Sequence, residues 1–119
     1  MPDGGSSGGI AIMKLLLMVR DLMFSSRIIS AAKEAGVDYD VIRDPAKLES
    51  QSADLLILDL NQAGTIEAAS RWKTATGGCT LGFVSHVDTG IIDEAKQAGI
   101  ERVMSRGQFT QQLPNLFPR

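Results

Sequence analysis

Few residues in this chain could do chemistry, and they are widely spaced. Asp59 stands near the end of an unbroken apolar run, Leu55-Leu56-Ile57-Leu58-Asp59-Leu60. A run that short, with no helical period, reads as a strand buried on both faces, typical of the centre of a parallel sheet. In open α/β sheets ligands bind beyond the C-terminal ends of the strands, which is where Asp59 falls. A carboxylate costs free energy to bury, so Asp59 is either solvated in a crevice or paired. The plainer alternative is that it caps the strand and starts a turn with Asn61. Arg20-Asp21 and Ser85 also follow apolar runs. His86 and Asp88 share a loop and suggest acid/base chemistry, but no nucleophile pattern accompanies them, which favours a solvated loop. Cys79, beside Gly77-Gly78, reads as a small turn residue, and Trp72 as core or a partner contact.

Composition limits what these residues can be part of. The chain has 119 residues, 44% of them hydrophobic, and a net charge of −2. That length fits one domain, and a domain of this size buries roughly two thirds of its unfolded surface, enough for a core. Without a basic excess, nucleic-acid binding by this domain is disfavoured. One cysteine and one histidine cannot form an internal disulfide or a Cys/His zinc site. The single thiol suggests a reducing, cytoplasmic setting. No run is long enough for a transmembrane helix. Lys14 and the apolar run after it lack the length and small-residue cleavage site of a signal peptide.

The elements that position these residues alternate along the chain. Residues 1–11 are a Gly/Ser-rich tail expected to be disordered, and 12–119 form the domain. Ile12–Val19 reads as a first central strand. Ser25 or Ser26 is the expected N-cap of a helix whose stripe is Ile28, Ile29, Ala31, Ala32 and Ala35, ended by Gly36. Val37–Arg43 alternates as a strand nearer an edge, and Pro45–Ser50 is a short helix. After the strand at 54–60, Thr65 is expected to cap a helix to about Lys73. Thr80–Ser85 is a fourth strand. Asp88 or Thr89 caps a helix to Ala98, ended by Gly99, and Ile100–Ser105 is a fifth strand. The last helix carries Phe109, Leu113, Leu116 and Phe117, and Pro114 implies that it begins close by or is kinked there. Five strand–helix units with short loops predict a doubly wound, flavodoxin-like α/β domain with strand order 2-1-3-4-5, five parallel strands and helices on both faces.

Over about residues 12–117 the chain resembles the receiver domain of two-component response regulators, the CheY-like superfamily. The resemblance rests on element order, on Asp59 in LILDLN at the phosphoacceptor position, and on Ser85 in GFVSH at the Ser/Thr ending the fourth strand. It also departs from the family pattern. Arg20-Asp21 stands for the acidic pair, so only its second position is acidic. Arg106-Gly107 stands for the Lys-Pro after the fifth strand, Val103 for the aromatic within it, and Asn61-Gln62-Ala63-Gly64 for a loop that usually holds Met-Pro.

The resemblance implies that Asp59 accepts a phosphoryl group from a histidine kinase, with Mg²⁺ held by Asp21 and Asp59 and the charge neutralised by Arg106. Mg²⁺ demands octahedral oxygen ligands. Arg20 removes one and adds a cation beside the metal. It either points to solvent or pairs with Asp59 or Asp21 in the place of the metal. The resulting expectation is a pseudo-receiver: not an enzyme, with no cofactor or only weakly bound Mg²⁺. It would bind a kinase, an effector or its own copy through the face of the fourth helix, fifth strand and fifth helix, and would not bind nucleic acid or membrane. A working receiver phosphorylated on Asp59 is the first rival. The second, a small flavodoxin-like enzyme or nucleotide binder, lacks a GxGxxG or P-loop after the first strand.

Overall fold

The computed structural model describes residues 14–85 and 88–117. The tail at 1–11 and His86 lie outside these. Five parallel strands form one sheet in the order β2-β1-β3-β4-β5, as the alternation predicts. They are β1 (Lys14–Met18), β2 (Asp38–Val41), β3 (Leu55–Asp59), β4 (Cys79–Val84) and β5 (Arg102–Ser105). Four α-helices connect or follow them: α1 (Leu22–Glu34), α2 (Thr65–Thr76), α3 (Thr89–Gln97) and α4 (Arg106–Leu116). The expected short helix is a 3₁₀ turn, Pro45–Ser50, with Asp44 accepting a hydrogen bond from the Ala46 amide. The family's fourth and fifth helices therefore correspond to α3 and α4.

The sheet separates two cores because side chains alternate across each strand. Leu15, Leu17, Leu55 and Ile57 point to the side of α1 and α4, against Phe24, Ile28 and Phe109. Leu16, Met18, Leu56 and Leu58 point to the other side, against Leu48, Ile66 and Trp72. Trp72 is fully buried, and its Nε1 donates to the Gln51 carbonyl at 2.9 Å, tying α2 to the end of the 3₁₀ turn. β1 and β3 pair from Leu15↔Leu55 to Met18↔Leu58. At the start of this pair the Lys14 amide donates to the Asp54 carboxylate and the Asp54 amide to the Lys14 carbonyl.

Several boundaries differ from those expected. α1 begins at Leu22, and its N-cap is Asp21, whose side chain accepts from the Phe24 amide; Ser25 lies inside the helix, where its hydroxyl donates to the Leu22 carbonyl. A carboxylate is as good an N-cap as serine, and Asp21 sits where Phe24 and Ile28 already face the core. α2 is not capped by Thr65. Gly64, at φ 83°, precedes it, and the Thr65 hydroxyl donates to the Asp59 and Gln62 carbonyls, pinning the loop. α2 runs on to Thr76 and ends at Gly77, at φ 74°. Pro114 neither starts nor precedes α4. Ser105 and Gln108 form a capping box at its start, and Pro114 lies inside the helix two residues before its end, where its missing N–H leaves one intrahelical bond unmade. Gly36 and Gly99 follow α1 and α3 at φ 73° and 89°, the left-handed ends expected of them.

Candidate functional site

The candidate residues gather at the C-terminal edge of the sheet because parallel strands deliver their ends to one side. Asp59 closes β3 opposite Phe83. Val84 pairs with Ser105, so Ser85 and Arg106 leave neighbouring strands together. Asp21 lies in the loop between β1 and α1.

Two linkages organise the edge. In the first, Arg106 opens α4 and reaches Asp21, 85 positions away, with its guanidinium 2.8 Å from Oδ2. The guanidinium also lies 4.2 Å from the centre of the Phe24 ring, within cation–π range. Phe24 belongs to an aromatic trio with Phe83 and Phe109, the ring centres 4.8–5.5 Å apart. The other Asp21 oxygen, Oδ1, accepts from the Phe24 amide at 3.0 Å. Each carboxylate oxygen thus has one partner. The Phe24 amide and then Arg106 hold the Asp21 carboxyl below its ordinary pKa. A cation opposes the dipole at the start of α4, and Asp21 compensates for it while serving the start of α1.

The second linkage runs through Asn61. Its amide donates to Asp59 Oδ1 at 2.9 Å, and its side-chain oxygen accepts from the Ser85 amide at 2.6 Å. Asn61 therefore ties the phosphoacceptor candidate to the end of β4. The Asp59–Asn61 turn of the plainer alternative is present, and the reach to Ser85 is an addition that the sequence does not signal. Phe24 beneath Arg106 is likewise not signalled by the sequence as a site residue.

Arg20 is exposed and enters no ion pair among the described residues; the cation on Asp21 is Arg106. Val103 packs, partly buried, against the core on the α2–α3 side. Asp88 caps α3, accepting from the Gly90 and Ile91 amides. Cys79 opens β4, half-buried.

Mg²⁺ is the metal that the family resemblance implies. Among the described residues no three His, Cys, Asp or Glu side chains come together to hold a metal ion. Asp21 is engaged by Arg106 and by its helix, and a guanidinium stands beside it. The guanidinium paired with Asp21 would compete with a dication for that carboxylate.

No protein-family model and no curated protein matches the sequence. Solved structures do match it. The phosphorylated cyanobacterial phytochrome response regulator RcpA superposes with a TM-score of 0.73 at 14% identity, covering 89% of this chain and 91% of that one. The receiver domain of the putative response regulator NarL from Mycobacterium tuberculosis gives 0.72 at 16% identity, covering 89% and 93%. An orphan response regulator of H. pylori gives 0.71 at 15% identity, covering 87% and 89%. At such identities the likeness establishes the fold, which is the flavodoxin-like fold of CheY-like receiver domains. No helix among the described residues is long and apolar enough to cross a membrane.

Proposed function

We propose that this chain is a receiver-like signalling domain, cytoplasmic and without enzymatic activity, that acts by binding another protein and is not switched by Mg²⁺-dependent phosphorylation. The observation that carries the reading is the Arg106–Asp21 ion pair at 2.8 Å. It puts a positive charge on Asp21, the acidic member of Arg20-Asp21, at the same edge of the sheet as Asp59. In a switching receiver a metal and an acyl phosphate would distinguish two states. A ligand with no differential affinity shifts no population, so the output surface of α3, β5 and α4 stays in one arrangement. Val103 supports this, since it fills the core side of β5 as a plain apolar group in place of an aromatic.

The test is titration with Mg²⁺ and beryllofluoride, followed by amide NMR. The expected result is no saturable change at Asp59, Ser85 or Arg106. Tight Mg²⁺ binding with shifts across the site would establish the rival, a receiver phosphorylated on Asp59, and defeat the proposal. The double variant Arg20→Asp, Arg106→Lys should acquire metal affinity if the missing ligand and the guanidinium are what exclude the metal.

A further inference from the structure

We draw no further inference here: the strongest candidate, the exposed apolar patch of Leu22 and Met23 at the start of α1, on the helix that also walls the groove against α4, carries nothing, because nothing in the structure shows what covers it.

Discussion

Replacing Asn61 by alanine should loosen the link between β3 and β4 at the candidate site. The substitution removes the side-chain oxygen that accepts from the Ser85 amide at 2.6 Å. A typical hydrogen bond contributes about 1 kcal/mol net, and a donor left without a partner costs about 1–3 kcal/mol. Ser85 is half-buried, so water can reach part of the loop and the lower end applies, about 1–1.5 kcal/mol. In a domain of ~100 residues that lowers Tm by about 4–6 °C. Asn61→Asp keeps an acceptor for Ser85 but sets a second carboxylate beside Asp59, so the Ser85 amide should stay protected while stability falls for a different reason. The assay is thermal unfolding of the three proteins together with amide exchange read at Ser85. Loss of protection at Ser85 in the alanine variant alone is expected. An alanine variant within about 1 °C of the wild type, or one with the Ser85 amide still protected, would refute the idea that Asn61 holds this edge.

Gly78→Ala should destabilise by about 1–3 kcal/mol, because its added methyl would fall on the Trp72 ring, which is fully buried and cannot swing away; urea unfolding checks this, and a neutral result would mean that the turn yields. Asp21 and Glu101 both have pKa values held below the ordinary carboxylate range, Asp21 by the Phe24 amide and then Arg106, and Glu101 by Lys73 and the Thr80 amide. A depressed carboxylate stabilises the fold above its unfolded pKa and loses that contribution as pH falls through its folded pKa. The stability gaps to Asp21→Asn and Glu101→Gln, measured by denaturation at neutral pH and again below about pH 4, should therefore narrow in acid; gaps independent of pH would count against both attributions. Affinity for a partner bound through α3, β5 and α4 should be the same for the wild type, Asp59→Ala and Asp59→Glu, and a change beyond about tenfold, roughly 1.4 kcal/mol, between folded wild type and Asp59→Ala would show that Asp59 controls output.

The sheet was legible because β1 and β3 are apolar on both faces and the segments between them carry helical stripes. The start of α1 was not. Leu22 and Met23 resume an apolar run just after Arg20-Asp21, and Ser25 and Ser26 imitate a cap, whereas the true cap, Asp21, carries the signal of a site residue. Pro114 hides the start of α4 for the opposite reason: a strong local breaker outweighs the subtler Ser105–Gln108 pair, which marks that start. At the candidate site, residue types could be read but pairings could not. Arg106 meets Asp21 across 85 positions and Ser85 meets Asn61 across 24. Arg20, adjacent to Asp21, has solvent or an acidic partner open to it on the sequence, and the structure leaves it exposed. Chain neighbours at a strand end need not face each other, and the long arm of a residue on a packed helix can.

The two central strands have a further consequence for how the chain finds its alignment. β1 presents Leu15 and Leu17 to one side and Leu16 and Met18 to the other; β3 presents Leu55 and Ile57, then Leu56 and Leu58. A slip of one residue would trade one leucine-like side chain for another, so the usual alternation that penalises slippage is almost silent here. Polar residues at the ends break the degeneracy. Shifted one way, the Lys14–Asp54 exchange of backbone and side-chain bonds is lost; shifted the other, Asp59 is drawn from its turn with Asn61 toward the apolar interior. The charges flanking these strands thus act as a ruler, and a chain with both Asp54 and Asp59 made apolar would keep its hydrophobic content while losing the means to choose a single alignment.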